Sequence, residues 1–265
     1  MIPRIATILA VIGAVIGVAC VDMSAPSGPA SISALQLPSP SVVVGDVMRD
    51  STGAPAKLGV IAYDADGRKL TDQSPQFFST DSAGPALVDL AGAVFGNKVG
   101  TAHVVGQIGT LQTPIAAIAV TVAPKSIARS GTTIDTLFAP LSADTAQHGT
   151  SAVAVTVSGD TGAAAVGFIV KYTLVQAPAT ISSSKLPAVY LANDAGIPST
   201  VDTTDAAGHA SRNLIVVTAL LSDTSLLRGH VDSAVVTAQT SYKGALVPAS
   251  PIRFVIPIVV KLKLP

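Results

Sequence analysis

Glutamate and tryptophan are missing from this 265-residue chain, and cysteine occurs once, at Cys20. Each absence excludes something. With one thiol the chain cannot close a disulfide on itself, so any core must hold by packing. Without indoles, a carbohydrate platform of stacked tryptophans is excluded. Charged residues are scarce at 12%, and 16 cations balance 16 anions. No basic stripe with interleaved aromatics is present, so nucleic acid is not an expected partner. Carboxylates are too sparse for a calcium-binding acidic repeat. The acids are all Asp, which favours turns and caps, where Glu would have favoured helix.

What is abundant points one way. There are 22 Gly and 18 Pro among many Val, Thr and Ser residues, the composition of strands joined by turns. The expected fold class is all-β, short strands and turns in a sandwich or barrel, with enough chain for one or two domains with real cores.

The N-terminus reads differently. Arg4 precedes an apolar run, Ile5 to Ala19, that ends in small residues before Cys20. A short apolar segment behind positive charge is a secretory signal. The run is shorter than the ~20 residues of a comfortable bilayer span and lacks a flanking Lys/Arg cluster. Gly17-Val18-Ala19-Cys20 resembles a bacterial lipobox, with Gly17 departing from the usual Leu, Val or Ile. That resemblance implies a signal peptide over 1–19 and acylation of Cys20, hence a membrane partner reached through lipid. Val21 after the cysteine, instead of Asp, points by analogy to the outer membrane or cell surface.

Residues 20–41, rich in Ser, Pro and Ala, read as a flexible tether, with Ala30 to Leu37 a candidate first strand. A first strand-rich region spans 42–123. There Leu58, Val60 and Ala62 alternate with Gly59, Ile61 and Tyr63, and Asp64-Ala-Asp-Gly67 signals a hairpin. Ala93 to Phe95, Thr101 to Val105, and the face Ile118, Val120, Val122 supply further strands. Ala123-Pro-Lys-Ser126 makes a joint. A second region spans 126–265. Val153, Val155 and Val157 share a face, Ser158 to Gly162 turns the chain, and Phe168, Val170, Tyr172 and Leu174 share the next face. Ala210 to Ala219, Val231 to Thr240 and Ile252 to Leu264 follow as strands, with long loops expected over Pro178–Pro198 and Leu221–Gly229.

Two stretches resemble bacterial immunoglobulin-like domains. Tyr63-Asp-Ala-Asp-Gly67, Phe78-Ser-Thr-Asp81 and Val88-Asp-Leu-Ala-Gly-Ala-Val-Phe-Gly-Asn-Lys-Val-Gly-Thr-Ala102 are similar to the group 2 pattern, with Phe77 or Phe78 in place of the usual tryptophan. Val155 to Gly162, Val166 to Val170, and Thr203-Thr-Asp-Ala-Ala-Gly-His-Ala210 more loosely resemble group 1 domains of the invasin and intimin kind. The resemblance implies two tandem immunoglobulin-like β-sandwiches built for display, adhesion or spacing, with no catalytic residues, no cofactor, and a protein or cell-envelope partner it does not name.

Residues able to do chemistry are dispersed. His103, His148, His209 and His230 stand at no metal-ligand spacing, and His103, between Ala102 and Val104, is expected to face solvent. Asp64 and Asp66, like Asp202 and Asp205, read as solvated turns whose carboxylates accept local amides. No G-x-S-x-G elbow is present, and a triad assembled from distant loops is nominated by no particular serine. Gly92 and Gly100 are expected at tight turns. The expected function is that of a non-catalytic spacer or adhesion module with weakly guarded strand edges. The alternative is a polysaccharide- or cell-wall-binding module using Tyr172, Tyr190 and Tyr242, and a row of exposed aromatics would favour it. Shared with Phe168 and Val170, the Tyr172 face reads equally as core.

Overall fold

The structure, a computed structural model, describes residues 28–131, 136–181, 183–222 and 231–261; Cys20, His230 and the signal segment lie outside them. The described residues are all-β apart from one 3-10 turn at Thr218–Leu220. Among them, no helix is long and apolar enough to cross a membrane.

The first sandwich comprises β1 (Ser31–Ile32), β2 (Ser41–Val43), β3 (Ala62–Tyr63), β4 (Lys69–Leu70), β5 (Gln76–Ser79), β6 (Ala86–Val88), β7 (Val94–Gly96), β8 (Gly100–Ile108), β9 (Leu111–Gln112) and β10 (Ala116–Thr121). One sheet runs β2-β10-β8-β5, with β9 on β8; β1-β3-β4 and the hairpin β6-β7 cover it. Within the stretch read as tether, β1 pairs with β3 and Gln36 bridges Gly59, so the chain is built into the sheet from about Ala30. The core gathers Met48, Leu58, Phe77, Val94, Val104 and Ile118. Of the two neighbouring rings Phe77 is buried in this core, and Phe78 is half-buried.

The second sandwich has longer strands: β11 (Ser126–Arg129), β12 (Leu137–Pro140), β13 (Gly149–Ser158), β14 (Ile169–Gln176), β15 (Val189–Ala192), β16 (Val201–Thr203), β17 (His209–Val216), β18 (Val231–Tyr242), β19 (Ala245–Leu246) and β20 (Ile252–Lys261). Its sheets are β11-β13-β17-β15 and β12-β20-β18-β14-β16, with β19 on β18. These are the A-B-E-D and G-F-C orders of an immunoglobulin-like sandwich. The period-two faces read from sequence point inward: Val153, Val155 and Val157 meet Phe168, Val170, Tyr172, Phe254, Ile256 and Ile258. Alternation forces this, because a strand puts successive side chains on opposite faces.

Three expectations need correction. The long loop over Pro178–Pro198 contains β15, paired with β17 from Val189↔Val216 to Ala192↔Asn213. The strand expected to run to Ala219 leaves the sheet after Val216, where the 3-10 turn takes over. Gly100 opens strand β8 and does not close a turn, although its φ of 153° and the Pro85 ring 2.9 Å from where a Cβ would sit still demand glycine.

Candidate functional site

The turn aspartates behave alike. Asp64 Oδ1 accepts the amides of Asp66 and Arg68 at 2.9 and 2.8 Å, and Asp205 Oδ1 accepts those of Ala207 and His209 at 2.8 and 2.9 Å. Asp89 and Asn193 do the same at their own hairpins. Each stands three residues before a glycine with positive φ: Gly67, Gly92, Gly196 and Gly208. These side-chain oxygens fold turns. Asp202 departs from that expectation. It sits on β16, where it accepts the Ser211 amide at 2.7 Å and pairs with Arg212 at 3.1 Å.

The three described histidines stay apart. His103 is exposed on β8, where its amide and ring nitrogen both meet the Asp81 carboxylate. The backbone hydrogen bond from His103 is the main cause holding Asp81 below the ordinary aspartate range. His148 and His209 are also exposed. Among the described residues no three His, Cys, Asp or Glu side chains gather to hold a metal. The tyrosines make no row either. Tyr172 is 2% exposed in the second core, and burial raises its phenol above the ordinary range. Its hydroxyl has no hydrogen-bond partner among the described residues. Tyr190 packs on a satellite cluster of Ala192, Ile215 and Val217. Tyr242 is occupied elsewhere.

That elsewhere is the junction between the sandwiches, where the polar side chains converge. Asp46 follows β2 and is 11% exposed. Its carboxylate accepts the Val47 amide at 2.9 Å, Arg49 Nε at 2.8 Å and Nη2 at 2.9 Å, and the Tyr242 hydroxyl at 2.5 Å; Lys243 Nζ lies 3.3 Å away. Burial alone would raise the Asp46 carboxyl. The donors from Arg49, Tyr242, Val47 and Lys243 outweigh it and hold the group far below the ordinary aspartate value. Burial, and then the hydrogen bond to this carboxylate, push the Tyr242 phenol up.

Local backbone explains the placement. Lys243 and Gly244 both take positive φ, 53° and 75°, the two-residue hairpin turn whose twist suits β18 and β19. The turn aims Tyr242 and Lys243 at the loop after β2. Close approach is needed there, because a Cβ on Gly53 would sit 2.1 Å from the Gly244 nitrogen. On the connector side, the Val166 amide donates to Thr121 Oγ1 at 2.8 Å. Ser41 Oγ donates to the Gly167 carbonyl at 3.0 Å, and Val43 packs into the second core. Thr204 fixes the receiving loop: its Oγ1 donates to Ala165 O at 2.7 Å and accepts the Phe168 amide at 2.9 Å. Asp46 carried no signal in the sequence, since Tyr242, which helps complete its site from the second sandwich, lies 196 residues further along the chain.

No protein-family model matches the chain, and no curated protein does. Solved structures similar to it include surface layer protein SbsC, domains 1–6, at 16% identity and TM-score 0.33, covering 90% of this chain and 29% of that one. The adhesin InvE of Yersinia pseudotuberculosis is similar at 17% identity and TM-score 0.30, covering 85% of this chain and 60% of that one. The alpha-2-macroglobulin of E. coli is similar at 14% identity and TM-score 0.30, covering 88% of this chain and 14% of that one. The chain thus spans less than a third of the SbsC structure. At these values the likenesses bear on neither activity nor partners.

Proposed function

We propose that the chain is an exported, lipid-anchored, non-catalytic protein of the bacterial envelope, in which two sandwiches act as a spacer or protein-interaction module. One observation carries this reading: the two attachments of the first sandwich lie at its opposite ends. β1 lies beside β9, and β9 follows the Ile108 end of β8. The junction lies at the other end of that sheet, where Gly100 pairs with Val120. A tether from Cys20 therefore enters at the end remote from the second sandwich. The second sandwich in turn extends β18 and β20 away from the junction, from Ala238↔Ile252 to Val231↔Val259, a run of roughly 20–25 Å at ~3.3 Å per residue. Chain order and sheet direction thus add reach, and the exposed loop 143–148 is presented at the far end beside β13's first residues. The buried Tyr172 and the dispersed tyrosines favour this reading over a sugar-stacking module.

Fractionation tests it. Cys20→Ser should move the chain from the detergent phase to the aqueous phase, and a protease added to intact cells should cut the parent chain within 143–148. Detergent partitioning unchanged by Cys20→Ser would refute the lipid anchor. Protection of the loop on intact cells would refute surface display.

A further inference from the structure

We propose that Asp46 is the pin of a latch that locks the two sandwiches into one stiff arm, with the hairpin tip Tyr242-Lys243-Gly244 as its catch. The value of such stiffness for reach rests on the spacer reading; the latch itself rests on geometry alone.

Two hydrogen bonds near the connector, with Val43 packed beside them into the second core, do not suffice to fix the orientation. Ser41, which holds Gly167, and Thr121, which holds Val166, stand on β2 and β10. Those strands are parallel neighbours in register from Ser41↔Ala119 to Val43↔Thr121. The two contacts therefore lie close together, as a hinge line would. The Asp46 cluster lies off that line, on the loop beyond β2, and closes the remaining rotation.

Asp46 is not merely tidying its own loop. Arg49 comes from the first sandwich, but Tyr242 and Lys243 come from the second. Lys243 holds a left-handed backbone, φ 53°, which a side-chain-bearing residue adopts only against steric strain. Its ammonium lies over the Tyr242 ring, 5.3 Å from the centroid, and reaches the same carboxylate. Clefts flank the latch on both sides. One is lined by Ser39, Ser41, Arg49, Lys171 and Gln239, the other by Val44, Pro124, Lys125 and Leu246. They leave room for the sandwiches to tilt once the pin is withdrawn. A buried carboxylate whose donors come from both bodies is lost all at once when either body moves, so the closed state is cooperative.

Spin labels on exposed residues of each sandwich, at Thr110→Cys and Ala146→Cys in the full chain carrying Cys20→Ser, read the inter-sandwich distance distribution directly. The parent should give one narrow distribution. Asp46→Ala should at least double its width, and Tyr242→Phe, which keeps the ring and loses the hydroxyl, should widen it by less. Asp64→Ala, a turn carboxylate away from the junction, should leave it unchanged. If Asp46→Ala fails to fold, Tyr242→Phe decides. A parent-like width in the folded latch variants overturns the latch, as does equal widening in Asp64→Ala. Widths do not depend on anchoring, so this result and the fractionation result can fail separately.

Discussion

The two sandwiches share a plan and differ in how they are held. In both, an early strand lies parallel to the last one at the sheet edge, β2 on β10 and β12 on β20. The second sandwich buries whole faces of long strands, up to the 12 residues of β18, with Tyr172 and Phe254 among its fully buried side chains. The first joins several two- and three-residue strands around fewer buried groups, of which Phe77 and Met48 are the bulkiest. Each ordered residue of the first sandwich thus buries less apolar surface against the entropy of ordering it. It should be the weaker partner, with Val43 and the Asp46 cluster leaning it on the stronger one.

The largest break in that asymmetry should come from Phe77→Ala. Loss of a buried ring costs about 3–5 kcal/mol, enough to melt the first sandwich and leave the second folded. Urea titration followed by circular dichroism and by intrinsic tyrosine fluorescence should then show an early transition absent from the parent; one late, unchanged transition would mean the two cores do not differ as described.

Acid should act through the junction. The folded chain holds the Asp46 carboxyl below its ordinary value, whereas the unfolded chain binds that proton near ~3.9. As pH falls the unfolded state therefore takes the proton first. The stabilisation is whole above about pH 5 and erodes as pH drops further. Its size should be roughly 1–3 kcal/mol, as for a buried hydrogen bond to a charged group. Asp50 and Asp81 are lowered too, so the Asp46 share is the difference between parent and Asp46→Asn urea midpoints at pH 7 and pH 3. Equal acid sensitivity in the two proteins would remove Asp46 from the account.

Smaller effects sharpen the contrast. Tyr172→Phe deletes a buried hydroxyl that bonds to nothing among the described residues, so the second sandwich should keep or gain stability, by up to about 1 kcal/mol. A clear loss on thermal melting would reveal a partner for that hydroxyl. Asp64→Ala removes a turn acceptor in the first sandwich and should cost no more than about 1 kcal/mol, read as a small fall in its urea midpoint alone.

Much of this architecture was legible because it is local. The Val153-Val155-Val157 face and the Ile252-to-Ile258 face follow from period two, and the hairpin at Asp64–Gly67 from turn chemistry. β15 was not legible: Val189 to Ala192 is a brief apolar run between Pro187 and the Asn193 turn, in a stretch bracketed by prolines, and only its pairing with β17 makes it a strand. Asp202 misled for a related reason. Its partner Arg212 lies on β17 in the other sheet, beyond the turn that carries the chain over from β16, so a position resembling a turn proved to be an ion pair on a strand. The junction was the least legible feature. Lys243-Gly244 announces a turn, but nothing near it says that the turn will meet Asp46.

Hydrogen exchange of the full chain at neutral pH, compared between the parent and Asp46→Ala, decides whether a weaker sandwich leans on a stronger one. Slow exchange is expected in β13, β17, β18 and β20 of both proteins. Faster exchange is expected in β3, β6 and β7, and faster again across the first sandwich when Asp46 is removed. Equal protection of the two sandwiches, or a loss of protection confined to the second, would overturn that asymmetry.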